Sequence, residues 1–94
     1  MAIKRAHIYI SGSVQGVWFR ATAQGVAIDG NLTGWVRNLR DGRVEMVAEG
    51  AENNLEELIR WCSVGPPDAE VTDVAVTWSD PTHEFSAFLS GETA

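Results

Sequence analysis

From Ile3 to Ser11 the chain alternates, with Ala6, Ile8 and Ile10 on one side and Arg5, His7 and Tyr9 on the other. That is the period of a half-buried strand, with His7 facing outward. The glycine-punctuated stretch SGSVQGVWF interrupts the alternation, and in RATAQGVAIDGN the residues Ala23, Val26 and Ala27 recur at helical spacing before a Gly30-Asn31 stop. LTGWVRNLRDGRVEMVAEG then holds two strand-like runs joined by Asp41-Gly42, a dipeptide suited to the positive φ angles of a tight hairpin. AENNLEELIRWCSVG sets Leu55, Leu58, Ile59 and Cys62 on one helical stripe, and Gly65-Pro66-Pro67 ends it because proline cannot continue the hydrogen-bond ladder. EVTDVAVTW alternates Val74, Val76 and Trp78 as a fourth strand. HEFSAFLS is a weaker fifth, since Phe85 and Phe88 have opposite parity. The order βαββαβ predicts an α+β fold, a ferredoxin-like sandwich with two helices packed on one face of a mostly antiparallel sheet. That arrangement hosts enzymes, regulatory domains and RNA binders alike, so it selects no function.

At 94 residues the chain is expected to form a single domain over 1–94, with any site shallow and built on a loop. It carries no repeat and no linker-like tract. No stretch approaches the roughly 18 apolar residues of a membrane span, and the start alternates where a signal peptide would be continuously apolar, so the cytoplasm is the expected location. Cys62 is the single cysteine, which excludes an intramolecular disulfide and a cysteine-based zinc site. Its place on the helical stripe reads as an inert core thiol, with a reactive thiol as the alternative.

A net charge of −6 argues against nucleic acid as a partner. The distribution says more than the total. Residues 1–44 carry six lysines and arginines against two aspartates, whereas residues 45–94 carry one arginine against eleven carboxylates. A small anionic ligand therefore belongs with the first half, and the acidic second half reads as a solvated face.

Within that first half, Gly12 and Gly16 let the backbone of SGSVQGVWFR curl, and Arg20 sits at the mouth of the helix. Successive N–H groups in such a turn, with a helix N-terminus and a forked guanidinium, suit a phosphate; a merely structural turn has the same spacing. There is no Gly-Lys-Ser/Thr ending and no GxGxxG. His7 and His83 read as surface or satisfied histidines, and the only carboxylates of the basic half are Asp29 and Asp41, the latter committed to the turn. Such a site has no general acid and no metal-ligand cluster for an alkoxide leaving group. An acyl phosphate, which leaves as a stable carboxylate, needs neither.

The residues Gly12-Ser13-Val14-Gln15-Gly16-Val17-Trp18-Phe19-Arg20 resemble the G-x-V-Q-G-V-x-F-R block of the acylphosphatase family. Gly34-Trp35-Val36-Arg37-Asn38, running through Asp41-Gly42 to Val44-Glu45, is similar to its G-W-V-x-N-x-x-D-G-x-V-E block. Gly65-Pro66-Pro67 and the βαββαβ order also match, so the resemblance spans nearly the whole chain. It implies a metal-free, cofactor-free hydrolase that splits the carboxyl-phosphate bond of acyl phosphates. The amides of Val14, Gln15, Gly16, Val17, Trp18 and Phe19, with the Arg20 side chain, would hold the phosphoryl group. Asn38 would orient a water for in-line attack, and inorganic phosphate would be product and competitive inhibitor. A monomer is expected, with no membrane or nucleic-acid partner. A non-catalytic ferredoxin-like module that binds a small anion or a protein through the same loop is the alternative. The chain departs from the family at Ser13, often basic, at the bulky Trp18, and in its last strand, where Phe88-Leu89-Ser90-Gly91-Glu92 stands in place of F-x-I-R-Y. Trp18 could offer an acyl group a flat apolar contact or pack in the core.

Overall fold

The computed structural model describes residues 2–94. Strand β1 (Ile3–Ser13) sends Ala6, Ile8 and Ile10 inward, all fully buried, as its alternation requires. Helix α1 (Phe19–Asp29) buries Phe19, Ala23 and Ala27, and helix α2 (Glu52–Cys62) buries Leu55, Leu58 and Cys62. Both stripes face the same side of the sheet, where they meet Ile8, Ile10, Val36 and Met46 in one core. Phe19 and Trp61 lock the two helices together there, their ring centroids 5.1 Å apart. Burial pushes the Cys62 thiol up to about 12, so it stays a neutral apolar side chain.

The strands β2 (Thr33–Asn38), β3 (Val44–Ala51), β4 (Glu70–Ser79) and β5 (Phe88–Ser90) complete a five-stranded sheet of order β4-β1-β3-β2-β5. The β1–β3, β1–β4 and β2–β3 pairs are antiparallel, and β5 adds a parallel edge beside β2. This is the expected ferredoxin-like α+β arrangement with one further short strand.

Two local expectations are corrected. The hairpin is not a two-residue turn, because only Gly42 takes a positive φ, at 100°. The N–H of Gly42 donates to the carbonyl of Leu39 at 3.1 Å while Leu39 N–H donates to Arg43 at 2.8 Å, giving a wider loop in which glycine supplies the single left-handed residue. The fifth strand is also shorter than HEFSAFLS suggests. β4 and β5 lie at opposite edges of the sheet, so residues 80–87 must cross its whole width, and they do so on the face away from the helices. There the buried carboxylate of Glu49 accepts from the backbone N–H of Thr82 and His83 at 2.8 and 3.0 Å, and Arg5 completes the anchor at 2.9 Å. Phe85 belongs to this crossing strap and Phe88 to the strand, which accounts for their opposite parity.

Beyond β5 the chain keeps pairing with β2. Gly91 N–H donates to Val36, Ala94 N–H to Asn38, and Arg40 N–H to Ala94, all between 2.8 and 3.0 Å. The atypical ending thus still completes a sheet edge through backbone groups, which need no particular side chain.

Candidate active site

Pairing with β3 ends at Ile10, while a bulge between Ser11 and Gly12 shifts the register on β4, which β1 keeps to Ser13 before the loop that follows. Gly12 adopts φ 123°, and a Cβ there would clash with the carbonyl of Glu70, so the shift demands glycine. Residues 14–18 then lead into α1, with Gly16 at φ 76° and Trp18, the N-cap residue, at φ 65°. Among the described residues, no backbone N–H from Val14 to Ala21 donates to a protein acceptor, the first helical bond being Thr22 N–H to Trp18. These donors stand at the positive end of α1, whose first turn holds no acidic residue.

The loop opens onto a pocket of about 310 Å³ lined by Val14, Gly16, Trp18, Phe19, Arg20, Ala21 and Asn38. Arg20 comes from the first turn of α1. Its Nη1 donates to the carbonyl of Gly91 at 3.3 Å, which steadies the guanidinium and leaves its other donors available. Asn38 ends β2, paired with Val44 across the hairpin and with Ala94 at the edge, so its backbone is held on both sides. Among the described residues its side-chain amide has no protein partner, and it faces the same pocket as Arg20.

The sequence-predicted residues divide by side chain. Val14, Gly16, Trp18, Phe19, Arg20 and Asn38 line the pocket, while Val17 packs against the core and Gln15 turns the other way. Gln15 Nε2 donates to the carbonyls of Leu39 and Arg43 at 2.6 and 2.9 Å, fastening the glycine loop to the hairpin that carries Asn38. Three features went unread in the sequence: Ala21 in the pocket lining, the Gly91 carbonyl and the Gln15 clasp. The last two are contacts between distant segments with no local signature. Trp18 is 80% exposed, so of the alternatives for its ring, core packing is excluded.

Several charges of the first half are engaged elsewhere. Arg5 pairs with Glu49 and Glu84, Arg37 with Glu45, and Arg43 with Asp41, all on the strap side of the sheet or in the hairpin. Arg43 holds the Asp41 carboxyl below its ordinary range, through its side chain first and its backbone N–H second, so that carboxylate is committed to the turn. Arg20 is the one charged side chain among the pocket-lining residues, and no histidine, cysteine or carboxylate joins it. His7 lies on the opposite face, 2.7 Å from Glu45. A larger open depression of about 490 Å³, where Lys4 is outnumbered by Glu52, Glu56 and Asp80, offers an anion no complement. The smaller pocket therefore combines a run of free amides, a forked cation and a neutral amide able both to donate and to accept. That set suits a tetrahedral anion with a water beside it.

The acylphosphatase family model matches residues 6–89. The acylphosphatase of Pelotomaculum thermopropionicum is 51% identical over 88 residues, spanning 94% of this chain and 96% of its own. Among solved structures, the acylphosphatase from Bacillus subtilis superposes with a TM-score of 0.90 at 40% identity, covering 94% of this chain and 98% of that one. T. kodakarensis HypF matches with a TM-score of 0.80 at 32% identity, but this chain spans only 12% of it.

Proposed function

This chain belongs to the acylphosphatase family and hydrolyses the carboxyl-phosphate bond of acyl phosphates, and from that premise we propose which of its residues carry the reaction. The phosphoryl group is held by the amides of Val14, Gln15, Gly16, Val17, Trp18 and Phe19 and by the guanidinium of Arg20. Asn38 accepts a hydrogen bond from a water and donates one to it, placing its oxygen in line with the phosphorus–oxygen bond to the acyl group. That oxygen attacks phosphorus, the P–O bond breaks with its electron pair going to the carboxylate, and the water's proton passes to a phosphoryl oxygen. No protein base is required, because a phosphoryl oxygen takes up the proton that the Asn38 amide cannot accept at neutral pH. No protein acid is required either, because a carboxylate leaves without protonation. The single observation that carries this reading is the meeting of the free amides, Arg20 and the unpartnered Asn38 side chain in one pocket.

Catalysis in this scheme uses neither metal nor cofactor, inorganic phosphate competes with substrate, and the enzyme acts as a cytoplasmic monomer. A single buried thiol with a strongly raised pKa fits a reducing compartment. Phosphate release from acetyl or benzoyl phosphate, compared with an aryl phosphate ester and repeated with a chelator, tests the scheme. Rapid, chelator-insensitive turnover of the acyl phosphates and negligible turnover of the ester is the expected result. Phosphate binding without turnover would instead identify a non-catalytic anion module.

A further inference from the structure

Adjacent aromatic residues at the start of α1 have opposite surroundings. Phe19 is 1% exposed and packs on Trp61, whereas Trp18 is 80% exposed and lines the pocket beside Arg20 and Asn38. Trp18 also holds φ 65° and ψ 17°, a left-handed conformation that bulky side chains rarely adopt, and as N-cap it makes no side-chain hydrogen bond to the helix. Its ring thus serves neither the core nor the cap, although serine or asparagine would cap better and glycine would relieve the backbone. A residue that breaks local rules without a structural return, at the edge of a reactive pocket, points to a role in the chemistry there.

The dimensions of the pocket indicate that role. A phosphoryl group occupies roughly the space of three waters, about 90 Å³, and the pocket measures about 310 Å³. The pocket therefore has room for more than the phosphoryl group, and the acyl group bonded to it extends into that room. Val14 and Phe19 are each 1% exposed and present almost no surface there, Gly16 and Ala21 are small, and Arg20 and Asn38 are polar. The large apolar surface available to the acyl group is therefore the indole of Trp18.

We propose that Trp18 is the platform on which the acyl group stacks, so that this enzyme favours acyl phosphates with aromatic or extended apolar acyl groups over acetyl phosphate. The proposal rests on the reading of Arg20, Asn38 and the loop amides as the phosphoryl site. Stacking on the acyl group persists from bound substrate to transition state, so it acts mainly through KM.

The test compares kcat/KM for benzoyl and acetyl phosphate in the wild type, Trp18→Ala, Trp18→Phe and Trp18→Gly. Any change in the loop's grip on the phosphoryl group is common to both substrates and cancels in their ratio. Loss of the ring should lower the benzoyl-to-acetyl ratio about three- to tenfold, the range of an aromatic contact, chiefly through the KM for benzoyl phosphate. Trp18→Phe should restore most of it. Trp18→Gly, which accepts φ 65° without strain, serves as the ring-free variant if Trp18→Ala folds poorly. A ratio unmoved by removal of the ring overturns the proposal. Failure of the wild type to hydrolyse either substrate would instead overturn the reading of the site itself.

Discussion

The side-chain amide of Gln15 donates to the main-chain carbonyl of Leu39 at 2.6 Å, and that contact ties the glycine loop proposed to hold the phosphoryl group to the hairpin that carries Asn38. The two halves of the proposed site come from segments joined through a helix and a strand. Their relative position therefore depends on such ties as much as on the sheet.

Removal of the clasp should affect geometry more than stability. The Leu39 and Arg43 carbonyls keep backbone partners in Gly42 and Leu39, so neither is orphaned in Gln15→Leu, and the fold should lose only about 1 kcal/mol. The turnover number should fall by up to about 10²-fold, as expected for a misplacement near 1 Å, with a smaller change in phosphate inhibition. Denaturant unfolding beside steady-state kinetics separates the two effects. Unchanged kcat in a folded variant would show that the clasp does not position Asn38.

Arg20 and Asn38 should leave different kinetic marks. Arg20→Ala removes a charge-assisted contact of roughly 1.5–3 kcal/mol in binding, so phosphate affinity and turnover should fall together. Arg20→Lys should rescue little, because an ammonium lacks the fork. Asn38→Ala keeps the cradle and should lower kcat about 10²–10³-fold, roughly 2.7–4 kcal/mol, with phosphate binding nearly as before. Calorimetric phosphate affinity beside kcat decides both cases. Near-normal turnover in folded Asn38→Ala removes its role, and unchanged phosphate affinity in folded Arg20→Ala removes the anchor.

Inorganic phosphate should inhibit competitively, and less strongly as salt rises, because amides and a guanidinium recognise the tetrahedral anion whatever acyl group it carries. Chelation should leave the rate unchanged. Activity lost to a chelator and restored by a divalent ion would contradict the metal-free scheme.

Acid should loosen the strap at residues 80–87. Burial alone would raise the Glu49 carboxyl, but the N–H groups of Thr82 and His83, Arg5 and the Thr82 hydroxyl overcome it and lower the group from 4.5 to about 2. A folded-state pKa below the unfolded one contributes stability that is fully present above pH 4.5 and is lost as the pH falls toward 2. The whole effect is about 3 kcal/mol, from 1.36 kcal/mol per pH unit. Urea unfolding from pH 6 to pH 2 should show wild-type stability falling more steeply than that of Glu49→Gln within this window. Equal slopes would mean that Glu49 contributes nothing to the acid response.

The amino-acid sequence by itself determined the two helices, the first four strands and the sheet class, because these depend on short-range physics; the pocket residues were read from two contiguous blocks that resemble the family's. Alternation in β1 and the stripes of α1 and α2 identify their buried faces, Gly12 marks the bend into the loop, and the block ending at Arg20 lies within one contiguous segment. Contacts across the fold were not legible in it. The count of charges pointed to the right half of the chain, but the ion pairs that engage Arg5, Arg37 and Arg43 and leave Arg20 for the pocket were not visible in it. The Gln15 clasp, the hold of Gly91 on Arg20 and the anchoring of the strap by Glu49 join residues 24, 71 and 33 positions apart. Trp18 has the same reason behind it: indole suits a core or a surface equally well, and only the packed position of Phe19 and the left-handed turn before it put the ring outside. Periodicity records which face of an element is apolar; which distant polar groups then meet is decided when those faces close on one another.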